Sequence, residues 1–111
     1  MREIAWIKAA LKDFGRFPED VQDRIKDALT IASMGQKADI AKPMKGLGSG
    51  VFEIALPYRS DAYRTIYAVQ LGDAIWVVHA FQKKSTAGIA TPHKEVELTK
   101  ARLKRLEEML R

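Results

Sequence analysis

The 111-residue chain contains no cysteine. Disulfide staples, thiolate metal sites and a cysteine nucleophile are excluded on that ground. Only two histidines occur, His79 and His93, too few for the usual zinc ligand sets. No apolar stretch approaches the ~20 residues that a membrane helix needs. The opening residues, Met1 to Asp13, carry charges throughout and lack the apolar core of a signal peptide. The expectation is a soluble cytoplasmic protein with no membrane partner, no metal and no cofactor. The chain is 47% hydrophobic and 30% charged, which suits a globular protein rather than a disordered tail. Its length fits one domain, taken as residues 1–111.

Charge is present in surplus and unevenly placed. The formal net charge is +5 and the pI is near 9.6. Residues 1–50 hold nine Lys/Arg against seven Asp/Glu. From Lys83 to Arg105 there are seven basic residues, including Lys94, Lys100 and Arg102, against two acids, Glu95 and Glu97. That segment alone accounts for the whole excess. Such a stripe is the footprint of a nucleic-acid surface, and equally of a solvated amphipathic helix.

Hydrophobic periodicity outlines the elements. Ile4 and Trp6 alternate with Glu3, Ala5 and Ile7, which suits either a short first strand or an early helix start ahead of Ala9 to Phe14, with Gly15 as breaker. Phe17-Pro18-Glu19-Asp20 is a helix start, and Val21, Ile25, Ala28, Leu29 and Ala32 form one helical face. Gly35 is the expected terminator. Gln36 to Gly50 reads as a loop, with Lys42-Pro43 ending any helix. Its Gly-Leu-Gly-Ser-Gly is not a phosphate cradle, because a strand follows it and no Lys-Ser/Thr does. Strands are predicted over Val51 to Leu56, Tyr63 to Gln70 and Ala74 to Phe81, in meander order. After a polar loop from Gln82, Thr91 is a natural cap, with Pro92 at the first position of a last helix. The apolar seam of that helix is Val96, Thr99, Leu103, Leu106 and Leu110. The fold class is α+β: N-terminal helices with or without a short first strand, a three- to four-stranded antiparallel sheet, and a C-terminal helix.

Candidate chemistry lies in cationic groups near strand ends. Arg59 falls in the turn before the second strand, Arg64 inside it, His79 inside the last, and Lys83 and Lys84 just beyond that strand. An arginine in an apolar strand must be paired or face a groove. Arg64 either pairs with Glu53 or Asp61 across the sheet or grips a phosphate with its planar fork. Lys83 and Lys84 are either solvated loop or part of an anion site. His79 is either a satisfied core histidine or a catalytic one, and His93 reads as surface. Tyr63, Tyr67 and Trp76 are either core or base-stacking platforms.

Val51-Phe52-Glu53-Ile54, Ala62-Tyr63-Arg64-Thr65-Ile66-Tyr67, His79-Ala80-Phe81-Gln82-Lys83-Lys84-Ser85 and Thr91-Pro92 before a basic helix together resemble the RelE/ParE-like toxin superfamily. The resemblance is to its phage-derived, HigB-like branch and also covers Ala-Lys-Pro-Met-Lys-Gly at 41–46. It implies a curved antiparallel sheet flanked by N-terminal helices and a C-terminal helix. It further implies the toxin of a type II toxin–antitoxin system, a metal-independent endoribonuclease that cuts mRNA on the ribosome. The implied partners are mRNA, the ribosome and a cognate antitoxin with a helix-turn-helix domain, DNA being met only through that complex. By the same resemblance Arg64, Lys83 and Lys84 are catalytic candidates; His79 in the last strand joins them as a candidate read from the residues, and Arg59 in the strand turn with Lys94, Lys100 and Arg102 of the basic segment are the RNA-binding candidates. RelE-like enzymes carry lysines where this chain has Glu53 and Ala55, and a tyrosine near the C-terminus where this chain has none after Tyr67. The general base is thus open among His79, His93 and a lysine of lowered pKa. ParE-type members act on DNA gyrase instead, so a gyrase-directed toxin and an inactive phage-derived binding protein are the alternative readings.

Overall fold

The computed structural model describes residues 1–84 and 90–111. In chain order the elements are β1 (Ile4–Trp6), α1 (Lys8–Phe14), α2 (Glu19–Ser33), β2 (Ala41–Pro43), β3 (Val51–Tyr58), β4 (Asp61–Ala68), β5 (Ile75–Lys83) and α3 (His93–Met109). Strands β3, β4 and β5 form the expected antiparallel meander. The sheet is nevertheless five-stranded and mixed, in the order β1-β5-β4-β3-β2. Strand β1 runs parallel to β5, Ile4 opposite Ile75, a pairing between chain-distant segments that no local pattern encodes. Strand β2 occupies residues predicted as loop and pairs with β3, Lys42 opposite Glu53. Its Pro43 is tolerated because β2 is an edge strand, where a missing N–H breaks no interior ladder.

The helical face of α2 read from spacing is the buried one: Val21, Ile25, Ala28, Leu29 and Ala32 all join the main core. Helix α2 ends as Gly35 takes a left-handed φ of +84°. Tyr63 and Tyr67 also lie in that core, so they are packing residues and not stacking platforms. On the opposite face of the sheet a smaller core joins Val51, Ile66, Ala68, Val78 and Phe81 to Leu103 and Leu106 of α3, with Trp76 half-buried against it. The seam of α3 stops at Leu106, since Leu110 is exposed.

Three further expectations change. Pro18 and Pro92 stand at the cap positions of α2 and α3, one residue before the first helical turn. Thr91 does not cap α3; its hydroxyl is turned toward the sheet. Lys83 is not past the strand but is the last residue of β5, and it is buried. The polar loop predicted from Gln82 falls partly on residues 85–89, outside the described residues.

Between Ile66 and Tyr67 the register of β4 on β5 slips: Ile66 faces His79 and Tyr67 faces Val77. Val78 is therefore the extra residue of a bulge. It turns Val78 and Phe81 toward α3 while Val77 and Ala80 face the helices on the other side.

Gly50 leads into β3 with φ +77°, and its carbonyl accepts a hydrogen bond from Val69 N at 2.8 Å. A Cβ there would lie 2.8 Å from Cγ of Gln70, which is itself tied to Ser49. Gly48 shares the left-handed φ but has open space around it. Gly50→Ala is expected to cost about 2 kcal/mol and Gly48→Ala about 1 kcal/mol. Urea denaturation of the two variants checks the order.

Candidate active site

The face of the sheet toward α3 carries Glu53 on β3, Arg64 on β4 and Lys83 on β5. Strand alternation puts them there: Arg64 stands opposite Ala55 and Phe81, while Ala62 stands opposite Lys83. Arg64 and Lys83 are thus diagonal neighbours on adjacent strands. Arg64 is 9% exposed, and its Nη1 donates to Glu53 Oε1 at 2.8 Å and to Thr91 Oγ1 at 3.2 Å. The Thr91 hydroxyl in turn donates to Glu53 Oε2 at 2.8 Å. The predicted cross-strand ion pair with Glu53 exists, and it lies at the floor of a groove. Pairing and groove-facing are both true of Arg64.

That groove is an open hollow of about 1070 Å³, at the upper end of the range for ligand sites (~300–1,000 Å³). Its described lining holds six cationic side chains, Lys42, Lys45, Arg59, Arg64, Lys83 and Lys84, against the carboxylates of Glu53 and Asp61. Lys84 is exposed, with Nζ 3.7 Å from Asp61 Oδ2. Arg59 sits at the tip of the β3–β4 hairpin with a left-handed φ of +59° and its guanidinium over the Tyr58 ring, 5.4 Å from the centroid. Lys42 and Lys45 had no assigned role in the sequence. They come from β2 and the turn after it, beside the β3 positions where RelE-like lysines were missed. The only signal for them was the Ala-Lys-Pro-Met-Lys-Gly stretch.

Lys83 is 4% exposed and makes no ion pair among the described residues. Burial pushes its ammonium below the usual lysine value, and the like charge of Arg64 pushes it further, with Glu53 opposing. A neutral amine is thereby made more accessible at the floor of an otherwise cationic hollow.

His79 and Arg102 have a different occupation. His79 is 2% exposed, lies outside the lining of the hollow, and stacks on Phe81 at 5.1 Å. Arg102 Nη1 donates to the carbonyl of bulged Val78 and to His79 Nδ1, both at 3.0 Å. A guanidinium only donates, so Nδ1 is the acceptor, and Nε2–H is the donor to Glu95 Oε1 at 2.8 Å. The pair Glu95 and Arg102, two turns apart, clamps α3 onto β5. Lys94 and Lys100 stay exposed on α3 away from the hollow, Lys100 beside Glu97 at 3.3 Å. His93 is exposed at the start of α3.

The arrangement resembles solved toxins in fold. The free Escherichia coli toxin RelE carrying two arginine-to-alanine substitutions superposes with a TM-score of 0.63 at 20% identity, covering 94% of this chain and 96% of that one. The isolated E. coli RelE toxin gives 0.59 at 18%, covering 96% and 99%. The RelB–RelE antitoxin–toxin complex from Methanococcus jannaschii gives 0.54 at 21%, covering 78% and 99%. No curated protein sequence matches the chain. The fold is therefore that of the RelE toxins. Residues 12–104 match the family described as phage-derived protein Gp49-like, and the chain belongs to that family.

Two predictions follow from this geometry. Arg102→Leu strands the Val78 carbonyl and His79 Nδ1, and should cost about 2–3 kcal/mol in urea denaturation; a loss under 0.5 kcal/mol would contradict the clamp. Lys83 tests the sign of its shift. Its pKa in the folded chain lies below the ordinary 10.5, so between the two values the unfolded chain binds more protons and stability rises with pH. As pH rises toward 10.5 the wild type should gain stability relative to Lys83→Met. Parallel stability curves would show that the ammonium is not penalised.

Proposed function

We propose that the chain is the toxin of a type II toxin–antitoxin system, a metal-independent endoribonuclease that cleaves mRNA on the ribosome. The observation that carries this reading is the convergence of Arg64, Lys83, Lys84 and Arg59 on one open hollow in a protein of RelE fold. In the proposed reaction the ribose 2′-oxygen attacks the adjacent phosphorus and the bond to the 5′-oxygen breaks. The products are a 2′,3′-cyclic phosphate and a 5′-hydroxyl end. Lys83, its cationic form disfavoured by burial and by Arg64, takes the 2′-hydroxyl proton. The Arg64 guanidinium meets the charge that builds on the phosphoryl oxygens, where a fixed donor is worth ~10²–10³ in rate. Lys84 and Arg59, on the rim, hold the flanking phosphates, and water delivers the proton to the leaving 5′-oxygen.

The partner in this reading is a cognate antitoxin with a helix-turn-helix domain, through which alone the complex meets DNA. An antitoxin partner is supported by the fold shared with the M. jannaschii RelB–RelE antitoxin–toxin complex. An antitoxin that covers the hollow meets a cationic surface, so its association should slow as salt rises.

Arg64→Gln should slow cleavage of ribosome-bound message by about 100-fold and Lys84→Ala by about tenfold. The double variant should relieve growth arrest while keeping its circular dichroism spectrum. Full toxicity of that folded variant would overturn the site. Trapped gyrase–DNA adducts with intact message would favour a protein target instead.

A further inference from the structure

The floor of this cationic hollow holds a carboxylate. Glu53 is 11% exposed at its side chain, with Oε1 taken by Arg64 and Oε2 by Thr91, both at 2.8 Å. It is no stray surface acid: it stands opposite Ile66 of β4 and Lys42 of β2, in the row of residues that faces the hollow. We infer that Glu53 is a specificity residue, which makes the hollow accept phosphate bearing one negative charge, an internal phosphodiester, and reject phosphate bearing two. The inference rests on the RNA-cleavage reading and names the substrate class of that same site.

At the floor the Arg64 cation is already offset by Glu53, and the ammonium of Lys83 is disfavoured, so the floor offers little uncompensated positive charge. A diester is a monoanion and places the smallest charge beside the carboxylate. A phosphomonoester is close to a dianion at neutral pH, since its second pKa is about 6. Its extra charge would be repelled by the carboxylate, and at an effective dielectric of about 20 that repulsion is still worth on the order of tenfold in affinity after screening. The rim cations Lys42, Lys45 and Lys84 are exposed. They draw in any anion but discriminate little, because solvent and salt screen them. The interior of an RNA chain presents only diesters. Free nucleotides and phosphorylated RNA ends present dianions, and Glu53 would keep them from filling the hollow.

The test measures two small ligands on the intact protein: adenosine 3′-phosphate and its methyl ester, which differ by one methyl group and one charge. Each competes against a fluorescent 2′-O-methyl RNA strand that cannot be cleaved. The wild type should prefer the methyl ester. Glu53→Gln, nearly isosteric, should shift the ratio about tenfold toward the dianion, and Glu53→Ala should shift it in the same direction. Thr91→Val, which removes a hydrogen bond but no charge, should leave the ratio unchanged. An unaltered ratio in both Glu53 variants, with the RNA strand still bound, would overturn the inference and leave the RNA reading standing. Failure of the wild type to bind the RNA strand would overturn both.

Discussion

The site depends on one buried ion pair. Arg64 lies in the middle of a strand that is otherwise part of the protein core, and a lone guanidinium there would be severely penalised. Glu53, one strand away, supplies the counter-charge at 2.8 Å, and Thr91 closes the triangle with its hydroxyl. Removing one partner of such a pair typically costs ~3–5 kcal/mol, mostly because the other is left buried and unpaired. The same contact fixes the direction of Arg64 and ties the start of α3 to the sheet. Structure and chemistry here share one set of atoms.

The two faces of the sheet divide the labour. One face packs α1 and α2 against β3, β4 and β5 and carries the larger core. The other face is only partly covered by α3. Where the covering ends, the row that holds Glu53, Arg64 and Lys83 forms the floor of the hollow. The bulge at Val78 and the clamp of Glu95 and Arg102 around His79 set how α3 lies along β5. They hold one wall in place without touching the hollow.

Much of this was legible before any coordinates. The seam of α2 and the three meander strands follow from spacing alone, because each spans enough residues for a period to register. Strand β2 does not, since three residues cannot display an alternation, and its partners Phe52 to Ile54 lie across an intervening turn. Burial of Lys83 was hidden for another reason: two adjacent lysines at a strand exit look alike in sequence, and only the register decides which one faces inward. The contacts of Arg102 were not legible, because charge in a helix says nothing of what lies under it; here that is a bulge carbonyl and a histidine. The RelE resemblance pointed to Arg64 and Lys84, but its missing strand lysines looked like a loss. Lys42 and Lys45 stand beside that gap from a different strand and turn.

The central claim is that RNA phosphate is gripped by cations gathered from separate strands in this hollow. Side-chain NMR of the intact protein, titrated with a 2′-O-methyl RNA strand, tests it most directly. The account predicts that the guanidinium signals of Arg64 and Arg59 and the Hε signals of Lys83 and Lys84 move together and return on addition of salt. Movement confined to Lys94 and Lys100 on the outer face of α3, with Arg64 unmoved, would contradict it.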